Sequence, residues 1–161
     1  LAADKTEKKK VVKTVAAPVM SEQQRDAISA KAFEQLSAQT WTIYLTAQGV
    51  KRPKVETDVL TFSGVTVVSQ NLSAKGFGGS NFSLTAQDDG SAVFETVQRT
   101  EDDSIALWRG TLAGGKVNGI LNIRPKQGAA TIYSFSTVMP SVSAEPEPVV
   151  TQAAETPKKK R

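Results

Sequence analysis

The chain has 161 residues, with 20 Lys and Arg against 16 Asp and Glu, an apolar fraction of 39%, and neither Cys nor His. The missing residue types exclude a thiolate nucleophile, a disulfide framework, an imidazole base, a Ser-His-Asp triad and a zinc site of the usual Cys/His kind. Length and apolar content suit one domain with a modest core.

At the start of the chain, Leu1-Ala2-Ala3 reads as the remnant of a secretory-signal cleavage region, so a periplasmic or secreted location is expected. Residues 1–20 are rich in Lys and small apolar residues, show no sustained period, and read as a disordered basic arm. Ser21 followed by Gln24 forms a capping-box pattern, and Ile28, Ala32, Phe33 and Leu36 then fall on one face at helical spacing. A helix over 21–38 follows. Its apolar stripe is narrow, with Arg25, Lys31 and Glu34 elsewhere, so it is expected to pack on the end of a sheet.

From Trp41 the period changes to two. Trp41, Ile43, Leu45 and Ala47 alternate with Thr42, Tyr44, Thr46 and Gln48 as a half-buried first strand. Turn signals then recur about every ten residues. They delimit strands over 55–62 and 65–70, a strand in which Phe82, Leu84 and Ala86 alternate with Ser83 and Thr85, and strands over 92–99, 105–112, 117–123 and 130–138. Eight strands joined in sequence, with no crossover helix, predict an all-β domain over 21–138: an antiparallel eight-stranded up-and-down barrel behind one N-terminal helix. Closure removes the exposed sheet edges, and eight strands enclose an interior that side chains fill or that holds one small ligand. Gly110 and Gly119, inside strands, read as corner positions. Residues 139–161, rich in Pro, Glu and Lys, lack the large side chains that offset ordering entropy and read as a disordered tail.

A turn or helix leading into a first strand that begins at Trp41, followed by a complete eight-stranded meander, resembles the lipocalin and avidin group, the calycin barrels. The resemblance covers roughly residues 35–138 and rests on architecture; Gln39 stands where the lipocalin signature has Gly. What it implies is a carrier or sensor with an apolar ligand in the lumen.

The candidates for chemistry are sparse. Gly76-Phe77-Gly78-Gly79-Ser80 lacks the Gly-Lys-Ser/Thr ending and the following helix of a phosphate loop. It reads as a loop at a barrel mouth with Phe77 at its tip. Asp88-Asp89-Gly90 and Glu101-Asp102-Asp103 match no EF-hand and are explained as turns, so no metal and no cofactor are expected. Glu95 is read as pairing across strands with Arg109, while Glu56 and Asp58 are read as solvated. Trp41, Phe62, Phe82, Phe94, Trp108 and Tyr133 supply large apolar volume; together with Phe77 they are the ligand-binding candidates for a lumen and its mouth.

No catalytic constellation is visible, and no enzyme is expected. Residues 41–138 carry nine Lys and Arg against eight Asp and Glu, so the excess basicity sits in terminal clusters such as Lys8-Lys9-Lys10 and Lys158-Lys159-Lys160-Arg161. Nucleic acid is therefore not an expected partner of the barrel, and no stretch is apolar enough to span a membrane. The expected function is a binding or interaction module that docks on a protein partner or larger assembly. The alternative is an exported calycin-like carrier of a small apolar ligand.

Overall fold

The computed structural model describes residues 19–140. The arms expected over 1–20 and 139–161 lie outside the described residues except for 19–20 and 139–140. One helix, α1 (Glu22–Ser37), precedes eight strands: β1 (Thr40–Ala47), β2 (Val55–Ser63), β3 (Thr66–Ser69), β4 (Ser80–Ala86), β5 (Ala92–Arg99), β6 (Ile105–Ala113), β7 (Lys116–Arg124) and β8 (Thr131–Ser136). Each strand pairs with the next, and β8 pairs with β1, closing an antiparallel barrel. The helix begins as its residues dictate: Ser21 accepts from the Gln24 amide, and the Gln24 side chain accepts from the Ser21 amide. No helix among the described residues is long and apolar enough to cross a membrane.

Alternation fixes the register. Trp41, Ile43 and Leu45 face inward from β1, as do Leu60 and Phe62 from β2, Phe94 from β5, Trp108 and Leu112 from β6, and Val117 and Leu121 from β7. A slip of one residue would put each of these sets in water. The β6–β7 turn is Gly114-Gly115, both with positive φ, as a two-residue hairpin matching the strand twist requires.

The ladder is thinnest between β3 and β4, where only Thr66 with Asn81 and Val67 with Ser80 are paired. One side chain reaches across to β3 from inside the barrel, and two further sets of contacts hold β4 in place from its other neighbours. Inside, the Gln98 amide donates to the Val67 carbonyl at 3.3 Å while accepting from the Trp108 indole at 2.8 Å. Between β4 and β5, Thr96 bonds the Asn81 carbonyl and the Ser80 hydroxyl. Beyond the end of β3, α1 packs on β4: Phe33 stacks on Phe82, and the Arg25 guanidinium donates to the Ala86 carbonyl at 3.1 Å and pairs with Asp88 at 2.9 Å.

Two expectations change. The third strand stops at Ser69, whose hydroxyl caps a single helical turn, α2 (Gln70–Ser73), by accepting from the Leu72 amide. Asp58 is not solvated. It is 3% exposed and faces inward two residues before Leu60. Its carboxylate accepts the Ser69 hydroxyl at 2.5 Å and the amides of Asn71 at 2.9 Å and Val59 at 2.7 Å, which satisfies it without a cation and ties α2 to β2.

Candidate functional site

Of the aromatic residues expected around a lumen, Phe62, Phe82, Phe94 and Trp108 pack against other rings. Phe62 meets Phe82 and Phe94 edge-on with ring centroids 5.1 and 5.3 Å apart, and Trp108 meets Phe135 at 5.3 Å. Trp41, Phe62, Phe94 and Trp108 are buried, while Phe82 and Tyr133 are half-buried against the same core. The Trp41 indole donates to the Leu36 carbonyl at 3.0 Å, tying the end of α1 to the start of β1.

Both mouths are covered. Where β1 begins, Ala32 and Leu36 of α1 are buried in the core. At the other mouth, Leu72 of α2 is buried, and Phe77 turns inward through its amide bond to the Leu72 carbonyl at 2.9 Å. Phe77, expected at a loop tip, is thus 6% exposed, because the α2 turn redirects the chain before the glycines. The space left beneath Leu72, beside Leu45, Leu121 and Tyr133, is about 20 Å³, enough for about one water. Tyr133 borders that space, and its phenol is pushed above the ordinary tyrosine range, first by burial and then by the Glu56 carboxylate.

The acidic turns are occupied by their own backbone chemistry. The hydroxyl and amide of Ser91 both donate to Asp89 and hold its carboxyl below the usual range. The Thr100 hydroxyl does the same, as the leading cause, for Asp102. Among the described residues no three acidic side chains converge as a metal site would require.

A larger concavity lies on the outside of the barrel. An open trough of about 870 Å³ crosses β4–β7, lined among others by Val97, Leu107, Ile120, Asn122 and the Glu95–Arg109 pair. A twisted, closed sheet is concave along its waist, which gives the outer face this shape. Outward parity sets the lining: Val97 faces Leu107 across β5–β6, Leu107 faces Asn122 across β6–β7, and Asn122 faces Ile132 across β7–β8. Val97 and Ile120 are each 39% exposed. The expected cross-strand pair is present, with Arg109 donating to Glu95 at 2.7 Å, so the charges in the trough neutralise each other. Asn122 Oδ1 is buried without any hydrogen-bond donor, an orphan acceptor among apolar neighbours.

Of the sequence candidates, Phe82 and Trp108 border this trough, Tyr133 borders the closed mouth, and Phe77 borders a separate concavity beside Thr100 and Pro125. Sequence reasoning missed Asp58, Gln98 and Asn122. Inward parity with Leu60 was the available signal for Asp58; for Asn122 nothing short of the three-strand register would have served. Comparison with protein families, curated proteins and solved structures finds no match for this chain.

Proposed function

We propose that the protein is a non-enzymatic interaction module: a filled β-barrel that docks by its outer face onto a protein partner or larger assembly. The observation that carries this reading is the contrast between an interior packed with Phe62, Phe94, Trp108 and Phe135, with about 20 Å³ left at its mouth, and an apolar trough of about 870 Å³ outside. An exposed apolar patch bordered by polar residues marks an interaction surface, and the trough sets Val97, Leu107 and Ile120 beside Glu95, Arg109 and Asn122. A calycin-like carrier is the other use of this topology; it would need Leu72 and Phe77 to leave the mouth and core rings to repack, at the cost of the contacts that hold the barrel.

A photoreactive benzoylphenylalanine placed at Ile120, and separately at the exposed outer-face Thr42 on β1, tests the reading in the cells that make the protein. One adduct of discrete mass is expected from position 120 and none from position 42. Equal adducts from both positions, or a small molecule retained at one equivalent in native mass spectrometry, would overturn it.

A further inference from the structure

We propose that the trough across β4–β7 receives an extended peptide segment with apolar side chains, and that Asn122 reads one of its backbone amides. This rests on the outer-face docking reading and names the class of its partner.

The first ground is the orphan acceptor. A buried carboxamide oxygen without a donor destabilises the free protein, since it has given up water and received nothing in return. Its cross-strand neighbours, Leu107 and Ile132, are apolar and offer no side-chain donor. The oxygen is shut off from solvent in the free state, so it meets an occupant's N–H only when the carboxamide turns toward the trough, and the bond made there replaces the one that the free state lacks. The carboxamide carries the same acceptor and donor pair as a peptide group, and rotation about its terminal torsion presents either one without moving the backbone.

Charge supplies the second ground. The two ionic groups in the trough, Glu95 and Arg109, are paired at 2.7 Å. No net charge remains there to hold a phosphate, a nucleic-acid backbone or a lipid headgroup, so the occupant is neutral where it touches.

Dimensions are the third. Neighbouring strands lie about 4.8 Å apart, so β4 to β7 spans about 14 Å, the length of roughly four residues of extended chain. A segment crossing the strands sets alternate side chains against Val97, Leu107 and Ile120, with a peptide group between them over Asn122.

The probe is a random phage-displayed dodecapeptide library panned against the full chain, with Asn122→Leu and Ile120→Lys proteins as comparisons. Peptides with apolar residues at alternate positions are expected to enrich on the wild type. Asn122→Leu should reduce their binding about tenfold or more while raising the thermal midpoint by about 3 °C, because it removes the orphan acceptor. N-methylation of one central amide in the enriched peptide should weaken binding to the wild type and leave binding to Asn122→Leu unchanged. No enrichment, enrichment of charged peptides, equal binding to Asn122→Leu, or a lowered midpoint in that variant each overturns the assignment. So does an adduct at position 120 with the mass of two copies of this chain or of one chain linked to itself. Loss of the adduct at position 120 instead marks failure of the docking reading, so the two failures are distinguishable.

Discussion

Gly110 and Gly119 face each other across β6 and β7; the rings of Phe94 and Phe135 occupy the space that a side chain on Gly110 would take, and the β6 backbone occupies the space that one on Gly119 would take. A Cβ on Gly110 would collide with the Phe94 ring and lie 3.0 Å from that of Phe135; one on Gly119 would collide with the Arg109 carbonyl oxygen. The glycines are present because two backbones and two rings meet there, and that meeting fills the middle of the barrel.

The first prediction follows from this packing. Phe94 is fully buried and already wedged against Phe62, so it has little room to yield to a methyl group on Gly110. Gly110→Ala should destabilise by about 2–3 kcal/mol, the upper part of the usual range for overpacking, and Gly119→Ala by at least as much because it meets backbone. Gly78→Ala, whose added Cβ meets nothing within 4 Å, should stay within about 0.5 kcal/mol. Urea unfolding measures all three, and a tolerated Gly110→Ala would mean that the interior has slack for a ligand.

Trp41 carries the second. It is buried at the start of β1, and its indole N–H meets the Leu36 carbonyl at the end of α1. Trp41→Ala should therefore destabilise by roughly 3–5 kcal/mol. Trp41→Phe, which keeps much of the volume but leaves that carbonyl without its donor, should lose about 1–2 kcal/mol. A loss below about 1 kcal/mol for Trp41→Ala would deny β1 its place in the core.

Asp58 carries the third. Its carboxylate accepts three donors, two of them from Ser69 and Asn71 at the start of α2. Asp58→Ala leaves those donors unmet and should destabilise by about 3 kcal/mol. The loss should be local before it is global, so the Asn71 and Leu72 amides should exchange faster than those of β5 and β6 in the variant. Uniform acceleration across the barrel would show that α2 is not separately anchored.

These sites also mark where the sequence could be read and where it could not. The strand over 92–99 was legible to its last residue because Asp88-Asp89-Gly90 and Glu101-Asp102-Asp103 bound it with turn chemistry written in adjacent residues. The helix was legible because Ser21 and Gln24 cap each other locally. Asp58 was misread although its parity with Leu60 and Phe62 pointed inward, because the groups that make its burial tolerable come from Ser69 and Asn71, and their positions depend on the fold. The expected end of the third strand at Gln70 overruns the observed one by one residue for a related reason: Val67-Val68-Ser69-Gln70 has strand composition, yet Ser69 serves as a helix cap. The trough was illegible, since Val97, Leu107, Ile120 and Asn122 come from three strands and meet only once the register is set.

Glu95 and Arg109, the one pair anticipated across strands, give the fourth prediction. Both side chains are well exposed, and the contact is a single 2.7 Å bond. A double-mutant cycle with Glu95→Ala and Arg109→Ala should return a coupling below about 1 kcal/mol that shrinks as salt is added. A larger, salt-insensitive coupling would mean that the trough is more closed than its open form implies.

The last prediction concerns Tyr133. Burial first, and the Glu56 carboxylate second, disfavour the phenolate and raise the folded-state pKa above its ordinary value. A group whose pKa is raised on folding is more protonated in the folded state than in the unfolded one. Its stabilising contribution is therefore complete below the unfolded-state pKa of about 10 and is lost as pH rises through the folded value. Between neutrality and about pH 9 this residue should thus add no slope to stability. Above that window the unfolding free energy should fall more steeply in the wild type than in Tyr133→Phe. The tyrosinate absorbance that Tyr133→Phe removes should titrate above the usual tyrosine range, and Glu56→Gln should draw it part of the way back by removing the nearby negative charge. If that absorbance titrates at the ordinary value, the ring is solvated and the mouth beneath Leu72 is open, which would revive the carrier reading.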